Sequence, residues 1–253
     1  MSSSIVDIIV PNYNKGKYLE ECINSILDQT FINWTLYLID DCSNDNSKII
    51  LDKYKNKKQI NIIELKKNKG PSFCRNLGMR LSNSKYLSFL DSDDIWTKNK
   101  LKEQINFMTE YHHNFTYSDY TPFIIRNNKY VYKKGTKLKM KFSYEDFIHN
   151  SSINSSTMII SRKILGTNKF KKLELLEDYL FKCDILKKNH LAMKFDKNLA
   201  YYRILPNNRS SSKLKNIFNL WKINNKYNRL NFLKNFKSLI GIIFNSIKKY
   251  GIK

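Results

Sequence analysis

The sequence predicts an α/β fold: a mostly parallel central sheet flanked by helices, followed by a helical tail. Two observations support this prediction. Short β-rich runs alternate with helical segments over the first 90 residues, and acidic clusters follow directly after several of those runs. Alternating strands and helices form parallel sheets with right-handed crossovers. Such sheets bind ligands beyond the carboxyl ends of their strands, so the acidic clusters lie where a ligand is expected.

Hydrophobic patterning predicts the elements of the first half. Strands are expected where short apolar runs rich in β-branched or aromatic residues occur, and helices where apolar residues recur at helical spacing. The predicted strands are 5–10, 35–39, 60–65 and 86–90. The predicted helices are 19–27, 47–54 and 71–81.

Residues 95–170 are less regular, and regular patterning returns after them. The predicted elements are a helix at 101–111, a hairpin within 117–132 around Asn127-Asn128, a strand at 156–161, a helix at 175–188 and a strand ending at 201–203. The helix at 175–188 carries Glu177 and Asp178 in its first turn, where carboxylates interact favourably with the helix dipole.

The length and net charge of the chain limit the classes of protein to which it can belong. The chain has 253 residues, of which 42% are hydrophobic, which suits one α/β domain with an appendage. Its formal net charge of +23 predicts an anionic partner. Nucleic acid, an acidic membrane surface and a phosphorylated substrate all meet that condition.

The cysteines and the apolar runs bear on the compartment. The four cysteines are scattered without a Cys-x-x-Cys pair, which disfavours a zinc site and a disulfide framework. We expect them to be buried apolar groups in a reducing compartment. The N-terminus lacks a secretory signal. The longest late apolar run, 239–244, is far below the roughly 20 residues of a membrane-spanning helix. A cytoplasmic protein is therefore expected.

Residues 213–253 form a predicted basic amphipathic tail, distinct from a catalytic domain at 1–212. No acidic residue follows Asp196, whereas 13 Lys and Arg lie between residue 197 and the C-terminus. Five apolar residues of the tail share one helical face: Phe236, Ile240, Ile243, Phe244 and Ile247. That face either lies on an anionic membrane surface, peripheral to the cytoplasmic side of the inner membrane, or packs on the core or another subunit.

Asp91-Ser92-Asp93 places two carboxylates at the end of a predicted strand. Carboxylates so placed can hold a divalent cation and leave positions open for phosphate oxygens and water. The cation would stabilise a diphosphate as a leaving group. The alternative is an acidic turn in which Asp94 caps a helix that begins at Ile95. The short motif alone does not decide between them.

Several motifs in one order resemble family-2 glycosyltransferases, the inverting enzymes of GT-A (Rossmann-like) fold that use nucleotide sugars. The resemblance covers about residues 4–212. Its motifs occupy 8–14 with 18–19, 25–30, 39–45, 68–72 with 75–78, 89–96 with 100, 101 and 104, 177–179 and 202–203. Several motifs in the correct order are far more specific than any one of them.

The resemblance implies a binding site for a nucleotide-sugar donor, expected to be a UDP-sugar. Its residues would be Pro11, Tyr13, Asp41, Arg75, Asp91 and Ser92. Tyr13 and Asp41 would line the base pocket, with Asp41 accepting a hydrogen bond from the base, and Asp91 would help to position the ribose or a metal. Considered alone, Tyr13 could be a packed loop aromatic, Asp41 a turn former and Arg75 the partner of an acid.

The resemblance also implies the chemistry. Asp93, with Asp91, would bind Mn²⁺ or Mg²⁺. Asp178 would be the general base that takes the proton from an acceptor hydroxyl, and Glu177 would support it. Considered alone, Glu177 and Asp178 could be helix-start carboxylates without chemistry. The implied activity is metal-dependent transfer of a sugar to a glycan or lipid-linked acceptor, in surface-polysaccharide assembly.

Two positions depart from the family pattern. Cys42 stands where the family usually has Gly, and Leu176 where a small residue commonly precedes Glu-Asp. Residues 209–212 are suggested as a segment that closes over the diphosphate.

Basic and aromatic residues interleave in the tail, as in nucleic-acid-binding proteins, but no nucleic-acid-binding motif is visible and no nucleic acid is expected. A non-catalytic glycan-binding relative would not need all three acids, Asp41, Asp93 and Asp178.

Overall fold

The computed structural model describes residues 4–206 and 213–250, so the predicted closing segment at 209–212 lies outside the described residues. The strands are β1 (Val6–Asn12), β2 (Trp34–Asp40), β3 (Ile60–Glu64), β4 (Tyr86–Phe89), β5 (Ile95–Trp96), β6 (Phe115–Arg126), β7 (Lys129–Tyr132), β8 (Lys141–Phe142), β9 (Ile159–Ser161) and β10 (Ala192–Arg203). The helices are α1 (Gly16–Leu27), α2 (Ser47–Asp52), α3 (Pro71–Leu81), α4 (Lys100–Glu110), α5 (Tyr144–Asn150), α6 (Arg162–Leu165), α7 (Glu177–Leu186), α8 (Lys213–Lys226) and α9 (Phe232–Tyr250), with a 3-10 turn at Ser155–Thr157.

The strands form one sheet in the order β3-β2-β1-β4-β9-β6-β10-β5, with β7 beside β6 and β8 beside β10. β1 pairs in parallel with β2 and β4, β2 with β3, and β6 with β10. β9 is antiparallel to both β4 and β6, so these two strands run in the same direction. The predicted mostly parallel sheet is confirmed.

The order of the strands reverses at β1. From β1 the chain moves outward to β2 and β3 on one side, and then returns to β4 on the other side. Ligands bind in α/β sheets at such a switch point, beyond the carboxyl ends of the strands. The crevice between the ends of β1 and β4 is therefore the expected binding site.

β1 is longer than predicted, because the strand continues through Pro11 to Asn12. Pro11 pairs with Ile39 of β2, whereas β4 pairs with β1 only as far as Ile9. The Ile9 carbonyl accepts the amide of Leu90, so the nitrogen of Pro11, two residues later, lies on the side that β4 has left. A missing N–H costs no ladder hydrogen bond there.

α3 has the predicted bounds, and two glycines explain its position. Pro71 occupies its first turn, where a fixed φ suits a helix start. Gly70 precedes it at φ +85°, a conformation that favours glycine. At Gly78 a Cβ atom would lie 2.6 Å from Cγ2 of Ile9, so only glycine allows this close contact between helix and sheet. The contact holds Arg75 of α3 close to the strand ends.

The predicted hairpin is confirmed, whereas the alternative in which Asp94 caps a helix that begins at Ile95 is wrong. β6 and β7 pair antiparallel about Asn127 and Asn128, which adopt φ of 49° and 57° as in a type I′ turn. Residues 95–96 form β5, and the next helix begins only at Lys100. Asp94 instead accepts hydrogen bonds from Ser156 Oγ at 2.6 Å and from the Arg203 amide at 3.0 Å.

The two tail helices pack on the rest of the chain through one side only. Ser238 Oγ donates to the Ile148 carbonyl at 2.5 Å, and a Cβ on Gly241 would lie 2.5 Å from the His149 carbonyl oxygen, so α9 lies directly on α5. The five apolar residues of the predicted face are nonetheless 37–66% exposed. Packing of that face on the core is therefore wrong, and the domain division at residue 212 stays a prediction.

The sequence also predicted that no apolar run is long enough to span a membrane and that the cysteines are buried. None of the helices formed by residues 4–206 and 213–250 is both long enough and apolar enough to cross a bilayer. Cys22, Cys74 and Cys183 are buried as predicted. The prediction is wrong for Cys42, which is exposed because it lies in the turn after β2.

Candidate active site

A cavity of about 880 Å³ opens at the carboxyl ends of β1, β2 and β4. Its lining includes every site residue predicted from the sequence: Pro11, Tyr13, Asp41, Arg75, Asp91, Ser92, Asp93 and Asp178. We call the side formed by lining residues at 11–15, 41, 68–75 and 91–93 the strand-end wall. The helical wall is formed by residues 150–155, 175–178 and the α9 residues Ile242, Asn245 and Ser246.

Tyr13 and Asp41 form the end of the cavity nearest β2. Tyr13 is 46% exposed, which rules out a packed loop aromatic. Asp41 is buried, and its two carboxylate oxygens accept the amides of Lys69 and Gly70, each at 2.7 Å. These two hydrogen bonds show that Asp41 stabilises a turn, so the alternative interpretation of Asp41 as a turn former is confirmed. Each oxygen keeps a second lone pair with which it can accept a hydrogen bond from a ligand.

Both departures from the family pattern fall on left-handed backbone. Cys42, directly after Asp41, has φ +64°, and Leu176, directly before Glu177, also has φ +64°. This conformation costs an L-residue other than Gly or Asn roughly 1–2 kcal/mol. The cost explains why glycine suits the position of Cys42, and it places local backbone strain beside two of the candidate acids.

Arg75 joins the two walls. Its Nη2 donates to Asp91 Oδ1 at 2.7 Å and its Nη1 to Glu177 Oε1 at 3.0 Å, and the side chain is almost fully buried. Burial alone would lower the pKa of Arg75, but the charges of Asp91, Glu177 and Asp178 raise it above its usual value. Arg75 is therefore a permanent cation. The alternative in which Arg75 pairs with an acid is confirmed, and its position near the nucleotide stays a prediction.

Asp93 carries a partly buried negative charge close to the carboxylate of Asp91. Its Oδ2 contacts Lys15 Nζ at 2.8 Å, and its carbonyl accepts from Arg203 Nε at 2.8 Å. Burial raises the pKa of Asp93 above its usual value, the Lys15 ammonium opposes that shift, and the Asp91 carboxylate adds to it. A divalent cation would relieve this charge, so the carboxylates fit the predicted metal.

The donor set limits how a cation would be held. Within the described part of the chain, no group of three or more His, Cys, Asp or Glu could hold a metal together. Mg²⁺ is usually bound by one or two carboxylates, with substrate phosphates and water completing its shell. Asp91 and Asp93 match that pattern and not a closed site made of protein ligands alone.

Asp178 projects from the first turn of α7 into the helical wall. Its Oδ2 accepts from Lys182 Nζ at 2.7 Å and from Ser155 Oγ at 3.3 Å. Burial raises its pKa, but the Lys182 ammonium and, at longer range, Arg75 lower the pKa of Asp178 to about 2. The carboxylate is ionised at neutral pH, with 35% of the side chain exposed to the cavity.

Sequence reasoning missed four polar residues that hold the acids in place. Lys15 pairs with Asp93, Arg203 donates to the Asp93 carbonyl, Ser156 Oγ binds Asp94, and Lys182 binds Asp178. Two signals were visible in the sequence: Lys182 follows Asp178 by four residues on one helix, and Arg203 belongs to the motif at 202–203. The other contacts join segments that the fold alone brings together.

Comparison with protein families and with named relatives gives a consistent result. The sequence model described as Glycosyl transferase family 2 matches residues 7–170. TuaG of Bacillus subtilis (strain 168), whose name refers to teichuronic acid biosynthesis, is 30% identical over 246 residues, with 97% of each chain covered. The Escherichia coli UDP-Glc:alpha-D-GlcNAc-diphosphoundecaprenol beta-1,3-glucosyltransferase WfgD is 32% identical over 248 residues, covering 96% of this chain and 95% of WfgD.

The solved structures agree on the fold. TarS residues 1–349 from Staphylococcus aureus, in complex with UDP-GlcNAc, superposes with a TM-score of 0.73 at 23% identity. The superposition covers 96% of this chain and 72% of that one. The likeness confirms the predicted GT-A architecture.

Proposed function

This chain belongs to glycosyl transferase family 2, and on that premise we propose that it transfers a sugar from a UDP-sugar to a hydroxyl group of a lipid-linked glycan, with inversion at the anomeric carbon. One observation carries the proposal. Asp41, Asp93 and Asp178 come from distant parts of the chain and line a single cavity. The acids follow β2, follow β4 and begin α7, respectively.

The strand-end wall binds the donor in this proposal. The base lies near Tyr13 and Asp41, and the diphosphate lies near Asp91, Ser92 and Asp93, with Pro11 and Arg75 beside the nucleotide sugar. The exposed ring of Tyr13 offers a surface for stacking, and the lone pairs of Asp41 suit a base N–H. UDP is the proposed nucleotide because UDP is named in the solved TarS complex and in the name of WfgD.

Asp93 and Asp91 hold Mn²⁺ or Mg²⁺ in the proposed complex. When bound, the cation compensates the charge that grows on the departing diphosphate. The position of the two carboxylates supports this assignment, because both follow β4 and both line the cavity. Arg75, which contacts Asp91, adds a second positive charge near the same oxygens.

Asp178 is the proposed general base. It takes the proton of the acceptor hydroxyl while the hydroxyl oxygen bonds to the anomeric carbon and the bond to the diphosphate breaks. The nucleoside diphosphate leaves from the opposite face, so the configuration inverts in one step. Lys182 and Ser155 both bind Oδ2, which leaves Oδ1 for the acceptor. Holding both substrates in attack geometry supplies much of the remaining rate enhancement.

The acceptor reaches the helical wall from a membrane surface in this proposal, at the cytoplasmic face of the inner membrane. Ile242, Asn245 and Ser246 of α9 line the cavity, while Phe236, Ile240 and Phe244 of α9 are exposed. An exposed apolar helix face flanked by lysines lies in the interface of an anionic bilayer. WfgD is named for a diphosphoundecaprenol-linked acceptor, and TuaG for teichuronic acid biosynthesis, which supports a lipid-linked acceptor in surface-polysaccharide assembly.

The test is transfer with purified full-length protein. A panel of UDP-, GDP- and dTDP-sugars is incubated with a diphosphate-linked lipid carrying one sugar, with and without Mn²⁺. Mass spectrometry detects the product and NMR assigns its anomeric configuration. We expect one UDP-sugar to be used, with inversion. Retention of configuration would overturn the mechanism, and transfer from none of the donors would overturn the function.

A further inference from the structure

Lys182 is a buried cation beside the proposed base. Its side chain is 2% exposed, and it lies one helical turn after Asp178 on α7. Its Nζ donates to Asp178 Oδ2 at 2.7 Å and to the Ile153 carbonyl at 2.7 Å. Removing an ammonium from water is costly unless the group is paired and hydrogen-bonded. From the sequence alone Lys182 would be expected to be exposed to solvent, because lysines are rarely fully buried.

The two partners of Lys182 belong to different parts of the helical wall. Asp178 begins α7, whereas Ile153 lies in the loop between α5 and the 3-10 turn. Ile153 and Asp178 both line the cavity. Lys182 therefore ties the proposed base to the loop opposite it through two short hydrogen bonds, and Ser155 of the 3-10 turn adds a weaker third contact to the same carboxylate oxygen.

A second lysine, directly after the last residue of α7, forms an ordinary pair with an acid of that helix. Lys187 lies 3.5 Å from Asp184 Oδ1 and donates to the Tyr227 carbonyl at 3.1 Å. Its side chain is 28% exposed, and neither Lys187 nor Asp184 lines the cavity. The helix thus carries two Lys–Asp pairs, of which only the buried one faces the reaction site.

We propose that Lys182 is a positioning residue for the reaction: it fixes the Asp178 carboxylate through Oδ2, directs Oδ1 to the acceptor hydroxyl, and locks the 150–154 loop to the base. This inference rests on the proposed role of Asp178. A carboxylate held at one oxygen cannot rotate freely, so its other oxygen keeps one direction. Misplacement of a reacting group by about 1 Å can cost about 10²-fold in rate.

The charges around Asp178 determine the pH dependence. Lys182 faces it from α7, Arg75 acts on it from α3, and Glu177, its neighbour, is paired with Arg75. With Lys182 the pKa of Asp178 is about 2, so the base is ionised throughout the neutral and mildly acidic range. Without Lys182, burial favours the neutral acid, and the groups that still oppose it are Arg75, the Tyr179 amide and the Ser155 hydroxyl. The pKa then rises, and the base is protonated at a higher pH than in the natural chain.

The experiment compares Lys182→Met, Lys182→Arg and the control Lys187→Met in the full chain. We expect Lys182→Met to lower kcat by about 10- to 100-fold. It moves the acid limb of the kcat/KM profile to higher pH and leaves UDP affinity unchanged. Lys182→Arg keeps the charge and restores most of kcat with the natural acid limb. Lys187→Met matches the natural enzyme in both measurements. A natural kcat and acid limb in Lys182→Met would overturn the proposal.

Two further variants separate the possible failures. If Lys182→Met loses UDP binding, Lys182→Gln replaces it, because Gln keeps a donor for the Ile153 carbonyl without the charge. An unmoved acid limb in Lys182→Gln then overturns the proposal. Asp178→Asn tests the premise: full activity there removes Asp178 as the base. An inactive Asp178→Asn beside a normal Lys182→Met overturns the role of Lys182 alone.

Discussion

The two walls of the cavity hold their acids by different means. In the strand-end wall, Asp41 is fixed by two backbone amides, and Asp91 by a guanidinium of the adjacent helix α3. In the helical wall, Asp178 is held through one oxygen by the side chains of Lys182 and Ser155. Asp41 therefore depends on backbone donors that the fold supplies, whereas Asp91 and Asp178 depend on side-chain donors that a single substitution can remove.

This difference suggests a division of labour. Most of the strand-end wall directly follows β1, β2 and β4, and the rest is the start of α3 with the loop before it. The helical wall combines a loop, the start of α7 and one side of α9. We expect the first to serve the donor, whatever the acceptor, and the second to determine which acceptor reacts. The predictions below change one residue of each wall and one residue of the exposed α9 face, and each measures which function is lost and which is kept.

The largest effect is expected from Asp178→Asn. Loss of a general base costs about 10²- to 10⁴-fold in kcat. Donor binding should persist, because Asp178 belongs to the helical wall. Transfer rate and UDP titration by calorimetry are measured together, with Asp184→Asn on the same helix as the control. A loss of UDP affinity as large as the loss of transfer rate would contradict the separation of the two walls.

A smaller effect is expected from Asp93→Ala. A bound cation supplies several kcal/mol of charge stabilisation, so losing it should lower transfer by roughly a hundredfold. UDP affinity should no longer depend on Mn²⁺, whichever acceptor is present, because Asp93 belongs to the strand-end wall. The control is Asp52→Ala, a surface acid of α2. UDP affinity that still responds to Mn²⁺ as in the natural chain would count against Asp93 as a ligand.

The smallest effect is expected from Phe244→Ser on the exposed face of α9. Losing part of the burial of one phenylalanine, worth about 1.5–3 kcal/mol when complete, should weaken binding to phosphatidylglycerol vesicles about tenfold. Transfer to a water-soluble acceptor should not change. Ile32→Ser, which alters an exposed apolar residue in the loop before β2, is the control. Undiminished cosedimentation of Phe244→Ser would exclude this face as the membrane contact.

Local patterns carried most of the fold prediction. The bounds of α3 were predicted without error, and the turn at Asn127 and Asn128 was found, because turn chemistry and helix starts depend on neighbouring residues. The strand beyond Pro11 was not predicted. Its continuation depends on where β4 ends, and that boundary lies far away in the sequence.

The sequence by itself determined the type of fold, the acids at the strand ends and the amphipathic face of the tail, because each depends on local spacing or on motifs in order. Only the tertiary structure decided that Asp94 binds Ser156 and Arg203 instead of capping a helix, and that Lys182 is buried against Asp178 and Ile153. These hydrogen bonds and the burial of Lys182 depend on tertiary contacts between segments that are distant in the sequence. The spacing of residues along the chain does not reveal such contacts directly.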